Sequence, residues 1–305
     1  MSDELKKPDS RSVAFENEVG VLKFVRFFGH MRRAEISRAG WHGSSAESAE
    51  KMAARTIARM LEKGLLLPRQ NSLGETSYVL TSRAAALLSN EYGLPTNAGY
   101  NIQGVAGPQF WHRTLATNYL LHTIEKGGEA FGEYAINHGW CPLSREDFTK
   151  HYGKVPDGLV LYPGESRGYR PGTVVADWVE VESSFKPPKE RQKMLDVAWK
   201  VGMPLRGGDG ASEIIFDRMV IVYSQDQNHR QAITQTARKQ LRDRPLEVPE
   251  EVTNSVCLAA VELAKPLRWK GVTESTLTEA LSEPARTSHV REGCKAGTFR
   301  GGLSR

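Results

Sequence analysis

Three carboxylates and a lysine carry the most specific chemistry in this sequence. Asp157 stands in Pro156-Asp157-Gly158, inside a run that is otherwise apolar. Glu180 and Glu182 stand two apart at the end of TVVADWVEVE, and Lys186 follows them. Residues two apart on a strand point to one face. Carboxylates converging from adjacent strands offer hard oxygen ligands of the kind that Mg²⁺ or Mn²⁺ prefers. Such an ion polarises a phosphodiester and lowers the pKa of an attacking water. A nearby ammonium group stabilises the charge that develops on phosphorus. Plainer readings stand beside this one. Pro-Asp-Gly is a turn sequence, and Glu180 and Glu182 could form the outer face of an edge strand paired with lysine.

The elements that must position these residues follow from periodicity and turn signals. Residues 109–126 read as a helix opened by Pro108 and ended by Gly127-Gly128. It carries His112, Arg113 and Asn118. These are supporting groups for the acids or plain helix surface, and His112 or Arg113 could instead pair with Asp157. Strands are expected at 131–136, 155–162, 173–182 and 213–223, with helices at 188–201 and 226–241. That mixture is an α/β or α+β domain over 108–245. Residues 252–265 and 273–281 read as C-terminal helices within 246–283. Residues 284–305 read as a flexible basic tail.

Upstream, residues 1–14 are polar and read as disordered. Helices are expected at 15–31 and 45–63, with a short segment at 32–39 between them. Two apolar runs, 65–67 and 78–80, flank the turn-rich 71–75 and predict a β-hairpin, and a helix follows at 82–90. The 45–63 helix is two-faced. Ala53, Ile57, Met60 and Leu61 form an apolar stripe, and Lys51, Arg55 and Arg59 recur every four residues on roughly the other side. Residues 91–107, rich in Gly, Asn and Pro, read as a linker.

This order of helix, short helix, basic helix, hairpin and helix over 15–90 resembles a winged helix-turn-helix domain. The resemblance implies that the third helix enters the major groove of double-stranded DNA. Lys51, Arg55 and Arg59 would then face DNA, with Arg69 and Asn71 on the wing. Guanidinium and ammonium groups neutralise phosphates, and Arg also pairs with guanine edges. The bland alternative is a solvated basic face, and some winged helices bind protein instead.

The acids resemble the PD-(D/E)xK nuclease superfamily, with Asp157 as the first acid and Glu180 or Glu182 as the second. The resemblance implies a metal site of Asp157, Glu180 and Glu182. The usual lysine positions are occupied by Glu182 and Ser184, so Lys186 is the nearest candidate. The full series of winged helix, His112-Arg113 with Asn118, Pro-Asp-Gly and Glu-Val-Glu-Ser-Ser-Phe-Lys resembles the replication-relaxation family of plasmids and mobile elements. That implies an α+β chain, a winged helix followed by a nuclease-like domain, acting as a DNA-binding accessory or regulatory protein. The alternatives are a Mg²⁺-dependent endonuclease and a protein-interaction module of a conjugation or replication complex. Implied partners are double-stranded DNA, a second copy forming a homodimer, and replication or mobilisation proteins.

Composition agrees with this class. A chain of 305 residues has room for about two domains. The net charge of +5 is concentrated at the ends: +3 over 1–104, −1 over 105–282 and +3 over 283–305. An acidic polymer suits such ends. Three cysteines spaced far apart predict neither a structural zinc site nor a disulfide framework, and point to a reducing cytoplasm. No apolar run is long enough for a membrane span, and MSDELKKPDSRS lacks the apolar core of a secretory signal.

Overall fold

The computed structural model describes residues 9–70, 74–99, 107–184, 186–205, 214–225, 228–243, 250–265 and 267–283. Asn71 of the expected wing and the expected tail 284–305 lie outside the described residues.

The chain is a mixed α+β protein. Its first part is α1 (Ser10–Phe28), β1 (Met31–Arg32), α2 (Arg33–Trp41), α3 (Ala46–Glu62), β2 (Leu66–Gln70), β3 (Thr76–Leu80) and α4 (Ser82–Tyr92). Residues 10–14, expected to be disordered, open α1 instead. The Ser45 hydroxyl caps α3 by accepting the Ser48 N–H at 3.3 Å. Gly64 then takes a positive φ of 62° just beyond the helix. Ala53, Ile57 and Met60 turn inward against Val21, Leu22 and Val25 of α1. The three strands form an antiparallel sheet ordered β1-β3-β2. The early part of the expected linker is anchored: the Arg26 guanidinium donates to the Pro95 carbonyl at 2.9 Å and the Thr96 hydroxyl at 3.1 Å.

The second part contains α5 (Gly107–Glu125), β4 (Glu129–Gly132), α6 (Glu133–Asn137), α7 (Arg145–Tyr152), β5 (Gly158–Pro163), β6 (Val174–Glu182) and α8 (Pro188–Ala198). It continues through β7 (Pro204–Leu205), β8 (Ile214–Ser224), α9 (His229–Asp243), α10 (Glu250–Asn254), β9 (Val256–Ala264), β10 (Arg268–Thr276) and α11 (Leu277–Ser282). The main sheet runs β10-β9-β8-β6-β5-β4, with the short β7 beside β8. β4, β5 and β6 form an antiparallel meander. β6, β8 and β9 are parallel to one another, and β10 closes the edge antiparallel to β9.

Three sequence expectations fail here. Residues 252–265 are mostly strand β9 rather than helix, and 273–281 divide between the end of β10 and α11. Thus 246–283, expected to be C-terminal helices, adds two strands to the sheet. A strand buried between neighbours reads as a continuous apolar run, which periodicity does not separate from a buried helix. The expected strand 131–136 likewise ends at Gly132 and passes into α6.

Alternation along β6 sorts its side chains between two cores. Val179 and Val181 share a core with Leu115, Tyr119 and Leu120 of α5, and with the helices of the first part. Ala176 and Trp178 face Met194 and Leu195 of α8 and Ile233 of α9. The first face also holds an ion network centred on the buried Asp177. A bulge at Asp217 sets Arg218 opposite Asp177. The Arg218 guanidinium reaches the Asp177 carboxylate at 2.7 Å, and Arg167 bridges Asp177 and Asp217 at 3.2 and 3.1 Å.

Candidate functional site

Asp157, Glu180 and Glu182 all lie at the carboxyl end of β6, where β5 begins. In open α/β sheets the crevice beyond the carboxyl ends of parallel strands is the usual ligand position. Asp157 lies just before β5, fixed by its N–H to the Val179 carbonyl at 3.0 Å. Its Oδ2 accepts the Val181 N–H at 2.8 Å. Its Oδ1 stands 3.0 Å from Nε2 of His112, one turn into α5. On the other side of the ring, Nδ1 of His112 stands 3.2 Å from the Ser183 hydroxyl.

Glu180 and Glu182 are fully buried on the opposite face of β6 from Val181. One oxygen of Glu180 accepts the Trp178 indole N–H at 2.8 Å, and the other is ion-paired with Lys154. Glu182 stands 3.3 Å from the Lys186 ammonium, but neither of its oxygens accepts a hydrogen bond. Lys186 also donates to the Val181 carbonyl at 3.3 Å.

The electrostatics follow from these pairings. Burial lowers the His112 pKa, but the hydrogen bond and charge of Asp157 outweigh it and hold the imidazole above its ordinary value. Burial raises Asp157, yet the His112 contact, the Lys154 charge and the Val181 N–H together hold it below the usual carboxylate value. Burial and the Asp157 charge push Glu180 up to about 6, against the pull of Lys154. Burial lowers Lys154, and Glu180, Asp157 and Glu182 together raise it further than burial depresses it.

The expected Mg²⁺ or Mn²⁺ site through Asp157, Glu180 and Glu182 does not fit this arrangement. Each carboxylate already faces its own cation: Asp157 His112, Glu180 Lys154, and Glu182 Lys186. Both oxygens of Asp157 and of Glu180 point at donors, leaving only Glu182 with oxygens that accept no hydrogen bond. Among the described residues, no group of three or more His, Cys, Asp and Glu is placed to hold a metal.

Of the supporting trio, only His112 reaches the acids. Arg113 turns toward Glu133, at 3.6 Å. Asn118 is buried in the joint between α2 and α5, where its Oδ1 accepts from Arg38 at 3.0 Å and its Nδ2 donates to the Thr114 carbonyl at 2.9 Å. Six residues on a helix turn through about 600°, so positions 112 and 118 cannot share a face. Sequence reasoning missed Lys154 and Ser183. The visible signals were a lysine three residues before Asp157 and a serine directly after Glu182.

The basic helix also divides. Lys51 and Arg55 are exposed, and Lys51 makes only a surface pair with Glu47 at 2.6 Å. Arg59 instead holds buried Glu18 of α1 at 3.1 Å, together with Lys63 at 2.7 Å. Four-residue steps advance by about 40° beyond a full turn, so Arg59 has rotated about 80° from Lys51. Arg69 lies half-buried on β2. Among the described residues no helix is long and apolar enough to cross a membrane. No family model matches the chain, and no curated protein or solved structure matches it.

Proposed function

We propose that the protein binds double-stranded DNA through a winged helix-turn-helix formed by its first part, as an accessory or regulatory protein of a plasmid or mobile element. The observation that carries this reading is the exposure of Lys51 and Arg55 on the third helix, alongside the β2–β3 hairpin. The Lys51–Glu47 pair is exposed and worth little, so a phosphate can replace Glu47 as the partner of Lys51. The second part is read as a PD-(D/E)xK-like domain on the strength of Asp157, Glu180 and Glu182 lying where two adjacent strands pair. Their pairing with His112, Lys154 and Lys186 favours a role other than metal-dependent cutting.

The test is a gel-retardation and cleavage assay on plasmid DNA. The reading expects retardation that weakens as salt rises, because phosphate contacts release counterions. It also expects that Mg²⁺ or Mn²⁺ stimulates no cutting. Cutting that requires Mg²⁺ or Mn²⁺ and is lost in Glu180→Ala would establish the endonuclease reading instead. The specific observation on that side is the Glu182 carboxylate, which is buried and accepts no hydrogen bond. Absence of any DNA binding would leave the protein-interaction reading.

A further inference from the structure

We infer that Ser183 is a nucleophile activated by His112, with Asp157 positioning the ring, and that its substrate is a phosphodiester of DNA bound to the protein. The choice of substrate rests on the DNA-binding reading above. The nucleophile itself rests on geometry alone.

Three separate elements converge to make this constellation. Asp157 is anchored by its Oδ2 on the Val181 N–H, which leaves Oδ1 aimed at His112 Nε2, 3.0 Å away. In the neutral ring that contact places the proton on Nε2, so Nδ1 carries the lone pair. The Ser183 Oγ is the group that Nδ1 meets, at 3.2 Å. A nucleophile within reach of a base, and a base oriented by a third group, is the general signature of an activated hydroxyl.

A structural role for Ser183 explains less. Ser183 is half-buried rather than enclosed, so burial does not oblige its hydroxyl to take a protein partner. The His112 and Asp157 side chains are also partly open, at 23% and 18% exposure, so a substrate can reach the reacting atoms. The surroundings suit an anion. Lys186 lies three residues further along, and its charge acts on His112. A serine beside an ammonium group and a base suits phosphoryl transfer, in which negative charge builds on the equatorial oxygens.

The step is balanced without a metal. Ser183 Oγ bonds to phosphorus as its proton passes to His112 Nδ1, giving an imidazolium held by Asp157. The bond from phosphorus to one sugar oxygen breaks, and that oxygen takes a proton from the Lys186 ammonium. The products are a DNA end joined to Ser183 through a phosphodiester and a free sugar hydroxyl. No oxidant or reductant is needed, and the reverse reaction reseals the strand.

Three measurements on the full chain test this. The parent, Ser183→Ala and His112→Ala are treated with a fluorescent alkyl fluorophosphonate, and the adduct is mapped by mass spectrometry. The same proteins are incubated with supercoiled plasmid in EDTA, denatured in detergent, and scored for DNA covalently attached to protein. Duplex binding is measured by anisotropy, and circular dichroism establishes that the variants are folded. The proposal expects an adduct on Ser183, none there in Ser183→Ala, and labelling at least about 100-fold slower in His112→Ala. It also expects a DNA–protein adduct in the parent that Ser183→Ala lacks. Duplex binding with no adduct on Ser183 overturns the proposal and leaves the DNA-binding reading standing. So does labelling that a folded His112→Ala leaves unchanged. An adduct on Ser183 in a protein that binds no duplex overturns the DNA reading, and the phosphodiester substrate with it.

Discussion

His112 Nε2 lies 3.0 Å from Asp157 Oδ1, joining α5 to the start of β5. Each partner stabilises the charged form of the other, so the pair has a definite pH window. The folded-state pKa of His112 is raised, so its share of stability is full below 6.5 and is lost as pH climbs through the folded value. That of Asp157 is lowered, so its share is full above 3.8 and is lost as pH falls through the folded value. His112→Gln is expected to cost about 1–3 kcal/mol between those limits, as for a hydrogen bond to a charged group. The cost should shrink toward pH 9, as urea unfolding at a series of pH values will show.

Glu180 works in the opposite direction. Its folded-state pKa of about 6 lies above the ordinary 4.5, so the folded state holds the proton more tightly. Its share of stability is present below 4.5 and is lost as pH rises through about 6. Glu180→Gln should flatten that stretch of the stability curve. At pH 8, Lys154→Met should cost about 3–5 kcal/mol by leaving a buried carboxylate unpaired. The double variant Lys154→Met with Glu180→Gln should recover most of that loss, and denaturant titration of the four proteins measures it.

Arg59 and Lys63 are expected to act on folding through Glu18. Both hold Glu18, which is only 2% exposed. Replacing both with Ala should cost about 3–5 kcal/mol, because the buried charge loses its partners. Duplex affinity of the folded fraction should stay within about twofold of the parent. Thermal melting and anisotropy on the same preparation separate the two effects.

Arg218 and Asp177 are the equivalent case within the sheet. Asp177→Ala removes the carboxylate that Arg218 and Arg167 share, at 2.7 and 3.2 Å. A loss of about 3–5 kcal/mol is expected. DNA binding should not change, since the network lies near the middle of the sheet rather than on α3.

The sequence made some of this legible and hid the rest for physical reasons. The 45–63 helix was readable because Ser45 caps it, Gly64 ends it, and Ala53, Ile57 and Met60 recur with helical spacing. Asp157, Glu180 and Glu182 stood out as charges in apolar strands, and the structure places them where β5 and β6 pair, each facing its own cation. What they meet was not readable. Lys154 and Ser183 approach through pairing of β5 with β6, and His112 through packing of α5, which local spacing does not encode. Arg59 meets Glu18 because a four-residue repeat drifts around a helix, which the repeat alone does not reveal. Residues 256–264 were misread because their apolar run, buried on both faces over 256–259, pairs between β8 and β10.

The most direct measurement is fluorescence anisotropy of a labelled duplex across a salt series, for the parent and for Lys51→Ala with Arg55→Ala. If α3 docks on DNA, parent affinity falls linearly on logarithmic axes as salt rises. The double variant should then bind more weakly, with a slope smaller by roughly 2, one for each lost phosphate contact. A folded double variant with the parent's affinity and the parent's slope would contradict the account.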